Sequence, residues 1–286
     1  MATIHPGRPL WAQGDAGSPR VALLGVPFDG TASFNSGSRE GPLAIRAATH
    51  GLEDYSPVFG RSVPDGFLAD LGDIEIPFGN PLAVLDATEG ATREILAQGR
   101  LPFLLGGEHL VTLGALRALR RQGEFALVQL DAHADLRQDY HGMSLSHASV
   151  VYHAQELLGP GRVFQFGIRS GCEEELRRAR FLHEAWSLGA ARDALAQIGD
   201  LPIYLTIDID VADPACAPGT GTPEPGGWTA REVLEAVRLF GGRRLCGADI
   251  VEVLPSRDPA GITALLAAKC LREILIAQSG RDGDVL

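Results

Sequence analysis

Three short segments carry side chains able to bind metal or move protons. Leu130 leads into Asp131-Ala132-His133-Ala134-Asp135, Ile207 into Asp208-Ile209-Asp210, and Leu105 into Gly106-Gly107-Glu108-His109. In extended backbone alternate residues point the same way, so the Asp-x-His-x-Asp and Asp-x-Asp spacings each aim side chains at one volume. A single Asp after a strand is ordinarily a turn or cap residue. Three such clusters together are not explained that way. Four carboxylates within bonding reach stay ionised only if cations separate them. Imidazole mixed with carboxylate suits Mn, Fe, Co, Ni or Zn, whereas Ca and Mg usually avoid histidine. The donors His109, Asp131, His133, Asp135, Asp208 and Asp210 are too many for one ion that must also hold a water. Two ions about 3.5–4 Å apart, with a hydroxide between them, fit the set and imply metal-assisted hydrolysis.

These residues need elements that bring them together. Short apolar runs at Val21–Val26, Pro102–Leu105, Phe125–Leu130, Val163–Ile168, Ile203–Ile207 and Leu245–Ile250 lack sustained polar alternation, as expected of strands buried on both faces of a parallel sheet. Helical patterns lie between them at Pro42–Gly51, Leu82–Gln98, Leu110–Arg121, Ala148–Leu158, Glu173–Arg180, Thr229–Phe240 and Pro259–Ala277. Thr229 and Glu232 form a capping-box pattern, and Gly241-Gly242 closes that helix. The alternation predicts βαβ units in a three-layer α/β/α sandwich with a mostly parallel central sheet. Pro214–Gly227 reads as a loop over the sheet edge, and the chain 1–286 as one domain. The candidate ligands all fall at carboxyl ends of strands, where open parallel sheets bind ligands.

Composition narrows the function. With 36 acidic and 25 basic residues the formal net charge is −11, which argues against nucleic-acid or anionic-membrane partners and for cations. Cys172, Cys216, Cys246 and Cys270 follow no metal or redox spacing and read as free, mostly buried thiols. Met1–Pro9 lacks a signal-peptide pattern and no stretch of 18 apolar residues occurs, so a cytoplasmic location is expected.

Further blocks stand around these clusters. They are Gly25-Val26-Pro27-Phe28-Asp29, Ser36-Gly37-Ser38-Arg39-Glu40-Gly41-Pro42, Ser146-His147-Ala148, Ala217-Pro218-Gly219-Thr220-Gly221 and Asp249-Ile250-Val251-Glu252-Val253. With the metal-type clusters, in this order, the series resembles the ureohydrolase family, which includes arginase and agmatinase, and is nearest the agmatinase branch. The resemblance covers most of the chain. It implies an arginase-like fold and two Mn²⁺ ions, one on His109, Asp131, Asp135 and Asp208, the other on Asp131, His133, Asp208 and Asp210. It also implies a hydroxide attacking a guanidinium carbon, urea as product, and a trimeric or hexameric homo-oligomer.

By the same resemblance Glu252 pairs with the substrate guanidinium, and His147 is the loop histidine that carries a proton or positions substrate. Paired hydrogen bonds from a planar cation to a carboxylate, and an imidazole titrating near neutrality, suit those tasks. His141, before Gly142, is the rival for the histidine role. Glu108 stands where many relatives have Asp before the metal histidine and is expected to support the site. Arg137, Asp139 and Tyr140 are candidates for the distal end of the substrate, Asp139 suiting an ammonium and Arg137 a carboxylate. The implied reaction is agmatine to putrescine and urea, a step of polyamine biosynthesis. Guanidinobutyrate, guanidinopropionate, arginine or a formimino substrate is the near alternative. A non-catalytic metal- or ligand-binding protein and a related deacylase are the distant ones.

Overall fold

The computed structural model describes residues 11, 19–76, 79–159 and 161–281. The reading of Met1–Pro9 lies outside them. The first half of the chain runs β1 (Val21–Val26), α1 (Gly41–Ala48), β2 (Tyr55–Ser56), β3 (Arg61–Ser62), β4 (Leu68–Asp73), α2 (Pro81–Ala97), β5 (Leu101–Gly106), α3 (Thr112–Arg120) and β6 (Ala126–Leu130). The second runs α4 (Val150–Leu158), β7 (Val163–Phe166), α5 (Glu173–Arg178), β8 (Leu182–His183), α6 (Leu188–Ile198), β9 (Ile203–Asp208), α7 (Ala230–Gly241), β10 (Leu245–Val251) and α8 (Ile262–Ser279). Eight strands form one sheet in the order β4-β1-β5-β10-β9-β6-β7-β8, and β2 and β3 form a separate ribbon. Every pairing in the large sheet is parallel.

Successive residues of the central strands pack on opposite faces. Phe103, Leu105, Val128, Leu130, Leu205 and Ile207 join α1, α6, α7 and α8 in one apolar layer. Leu104, Leu127 and Tyr204 join α2, α3 and α4 in the other. Two covered faces are why these strands read as unbroken apolar runs. The capping box of α7 forms as expected, Thr229 Oγ1 accepting from Glu232 N at 3.3 Å and Glu232 Oε2 from Thr229 N at 2.8 Å.

The six expected strands appear with ends shifted by at most two residues. The edge strands β4 and β8 were not expected. In β4, Asp70 and Asp73 interrupt the apolar pattern because they answer a buried cation: Arg46 meets them at 2.8 and 2.6 Å. The α6 helix is also an addition. The last helix starts at Ile262 rather than Pro259, because Asp258 accepts the main-chain N–H groups of Thr263 and Ala264 as a cap. Among the thiols, Cys246 and Cys270 are buried, but Cys172 is exposed, so burial is less general than expected; all four are free. No helix among the described residues is long and apolar enough to cross a membrane.

Candidate metal centre

The sheet order places the carboxyl ends of β5, β10, β9 and β6 side by side, although they are far apart in sequence. The loops leaving them bring the six candidate ligands together. His109 Nδ1 lies 3.0 Å from Asp131 Oδ2, 3.1 Å from Asp135 Oδ2 and 3.5 Å from Asp208 Oδ2. His133 Nδ1 lies 2.9 Å from Asp210 Oδ2 and 3.6 Å from Asp131 Oδ1. Two triplets can each hold an ion, His109/Asp131/Asp135 and Asp131/His133/Asp210, with donor atoms within 4.8 Å of one another and Asp131 common to both. Asp208 approaches His109 but lies outside both triplets; its Oδ1 accepts from Asp210 N at 2.9 Å.

Residues that sequence reasoning passed over orient these ligands. Thr206 Oγ1 donates to Asp249 Oδ1 at 2.6 Å, so toward His109 Nε2, 2.9 Å away, its oxygen accepts. That arrangement puts the ring hydrogen on Nε2 and leaves the Nδ1 lone pair facing the carboxylates. Asp249 is fully buried and also receives the hydroxyls of Tyr204 and Thr112. On the other side Gln129 Nε2 donates to Asp131 Oδ2 at 2.6 Å, and Gln165 Nε2 holds Gln129 Oε1 at 2.7 Å. Thr206, Asp249, Gln129 and Gln165 each interrupt an apolar strand just before its carboxyl end, which is the signal that could have found them.

Backbone strain marks two residues of the same place, Asp135 and Glu252. Three non-glycine residues among those described have positive φ: Asp135 (51°), His141 (52°) and Glu252 (63°). Glu252 is anchored by its own N–H to Gly107 O at 2.7 Å, and its Oε1 accepts from His109 N at 2.8 Å.

The electrostatics call for cations. Burial, then Asp210 and Asp131, raise Asp208 well above the ordinary carboxylate range, and burial with Asp131 pushes Asp135 up to about 7. Burial opposes charge on the imidazoles, yet Asp210 and Asp131 push His133 up to about 12 and the carboxylates raise His109 as well. Protons thus fill the place of positive charge that the cluster needs. His109 Nδ1 and Asp210 Oδ2, one in each triplet, are buried with no hydrogen-bond partner outside the cluster, as atoms meant for a metal would be. The donor set fits divalent ions.

The cluster opens into a cavity of about 320 Å³ whose wall includes Glu252, His147, Arg137, Tyr140, Glu175 and Cys172. His147 is held there by Ser33 Oγ, 3.2 Å from Nε2, and by Thr31, while burial lowers it to about 4. His141 is exposed and packs its ring at a tilt against Tyr140, and Asp139 is exposed and accepts from Gly142 N in a turn, so neither belongs to that wall. Arg137 stacks on Tyr140 at 4.7 Å, and its Nε lies 3.3 Å from the buried Glu175. Glu108 does not touch the His109 ring. It is buried against Thr31, and burial pushes it up to about 7.

Fold and site together define a parallel α/β protein with a buried His/Asp metal cluster at the carboxyl edge of its sheet. The sequence profile of the arginase family matches residues 19–277, and the chain belongs to that family, as its motifs implied. The agmatinase of Bacillus subtilis (strain 168) is 42% identical over 276 residues, which cover 94% of this chain and 93% of that one. A guanidinobutyrase of Pseudomonas aeruginosa is 38% identical, covering 91% of this chain and 86% of its own. The solved structure of agmatine ureohydrolase from Thermoplasma volcanium superposes with a TM-score of 0.87 at 33% identity, covering 96% of this chain and 95% of that one.

Proposed function

We propose that this arginase-family ureohydrolase hydrolyses agmatine to putrescine and urea. The observation that carries the reading is Glu252, a buried carboxylate held in strained backbone on the wall of the cavity that also contains the His/Asp cluster. A planar guanidinium paired with that carboxylate is oriented by two hydrogen bonds, with its carbon toward the cluster. His109, Asp131, Asp135 and Asp208 would hold one divalent ion, and Asp131, His133, Asp208 and Asp210 the other, Mn²⁺ in our reading. When bound, such ions supply Lewis acidity and a water of lowered pKa as nucleophile.

In the reaction a C–O bond forms at the guanidinium carbon, the C–N bond to the amine breaks, and a proton must reach the departing nitrogen. We assign that transfer to His147, which lines the same cavity. Its lowered affinity for protons keeps it neutral at pH 7, ready to accept one and release it onward. Arg137 would favour a carboxylate-tailed substrate, but its charge is answered within the wall by Glu175, which supports an ammonium-tailed one. We further read the chain as one domain, cytoplasmic, homo-oligomeric and serving polyamine synthesis. The test is urea release with Mn²⁺ across agmatine, arginine, guanidinobutyrate and guanidinopropionate. Agmatine is expected to give the highest kcat/KM, and absence of urea from all four would overturn the reading.

A further inference from the structure

Glu108 and Thr31 take no part in the steps just described, yet they are joined to His147. Glu108 is fully buried, and its Oε2 accepts from Thr31 N at 2.7 Å. A main-chain N–H can only donate, so Oε2 is held as an acceptor, and in the ionised carboxylate Oε1 is one too. The Thr31 hydroxyl lies 2.5 Å from Glu108 Oε1. A hydroxyl has one hydrogen and two lone pairs, and here the hydrogen is directed at the carboxylate. Both lone pairs of Thr31 Oγ1 then face His147, whose main-chain N lies at 3.0 Å and whose ring Nδ1 lies at 3.4 Å.

We propose that Glu108 and Thr31 fix the tautomer of His147, placing its ring hydrogen on Nδ1 and leaving Nε2 as the proton-accepting atom. Ser33 Oγ, 3.2 Å from Nε2 and on the cavity wall, is then the group through which that nitrogen meets the cavity. The order carboxylate–threonine–imidazole occurs twice among the described residues. Asp249–Thr206 fixes the hydrogen of His109 on Nε2 and frees Nδ1 for metal. Glu108–Thr31 fixes that of His147 on Nδ1 and frees Nε2 for protons. Thr31 and Glu108 are positioning residues, acting through His147. The catalytic consequence rests on the functional reading above, whereas the tautomer itself does not.

Histidine-¹⁵N NMR on the Zn²⁺-loaded protein reads the tautomer directly, with the His147 signals identified by their loss in His147→Asn. The expected pattern is Nδ1–H in the wild type and in Thr31→Ser, and loss of that preference in Thr31→Val. In urea release from agmatine, Thr31→Val should lower kcat by about tenfold or more while KM stays within about twofold, since a misassigned imidazole forfeits part of the ~10²–10⁴-fold that proton transfer contributes. Thr31→Ser should restore most of the rate. In a His147→Asn background Thr31→Val should have no further effect. An Nε2–H tautomer in the wild type, or equal slowing by Thr31→Val with and without His147, would overturn the proposal. The Nδ1–H tautomer in a protein that releases no urea would uphold it and remove the agmatinase reading instead.

Discussion

Asp249 illustrates how the site is made residue by residue. It offers nothing to a metal, yet three hydroxyls converge on it and one of them sets which nitrogen of His109 is free. Asp249→Asn replaces one acceptor oxygen by a donor, so Thr206 loses its orientation. Divalent-ion affinity should fall about 10–100-fold, measured by competition with a chromogenic chelator, because partners of metal-bound imidazoles carry that much. Unchanged affinity would show that His109 is oriented by packing alone. Proton linkage gives a second prediction at this scale. His133 is pushed up to about 12 and His109 is raised, so the metal-free site carries imidazole protons at pH 7 that bound ions must displace. Affinity should therefore decline as pH is lowered. Calorimetry in buffers of different ionisation enthalpy should register proton release on binding, and zero release would contradict the assignment. The candidate ligands were legible in the sequence because Asp and His at strand ends have few other reasons to recur. Thr206, Gln129, Gln165 and Asp249 were not, because a single polar residue inside an apolar run looks like noise until both faces of the strand are known to be covered.

At the scale of elements, the site is where three loops touch. Gly107, just after β5, receives the N–H of Glu252 from the β10 loop, and its Cα faces the chain after β1 so closely that a Cβ would stand 2.0 Å from Phe28 O. Gly107→Ala cannot be absorbed by a rotating side chain, because the obstacle is backbone. It should cost about 3 kcal/mol or more and lower metal content, read by denaturant unfolding and by elemental analysis. A variant with native stability and full metal would mean that the β1 and β10 loops move independently of β5. The central strands were visible from hydropathy since each is short, apolar and bounded by turns. The edges were not, because β4 is written in acids that serve Arg46 and β8 has only two residues.

For the whole molecule, charge is the property with a measurable consequence. The formal net charge of −11 should draw a cationic substrate toward the protein, and salt screens that attraction. Raising ionic strength from about 0.02 to 0.5 M should reduce kcat/KM for agmatine several-fold with kcat little changed. A flat profile would show that approach is not steered. The layered α/β class was legible in the alternation of strands and helices, but the order of strands was not, since nothing local says which neighbours a buried parallel strand will take.

That order constrains how the protein can be made. β5 and β6 follow one another in the chain, but β10 and β9 lie between them in the sheet, and these are its last two strands in sequence. His109 and Asp131 therefore cannot be held at their final separation until the last strands have been inserted between the segments that carry them. Contacts of such long sequence separation, 143 residues for the His109–Glu252 bond, form late and slowly. A chain still being translated would expose its Asp-x-His-x-Asp segment with no partner across the gap. Tight metal capture should accordingly follow insertion of β9 and β10, serving as the closing event of folding.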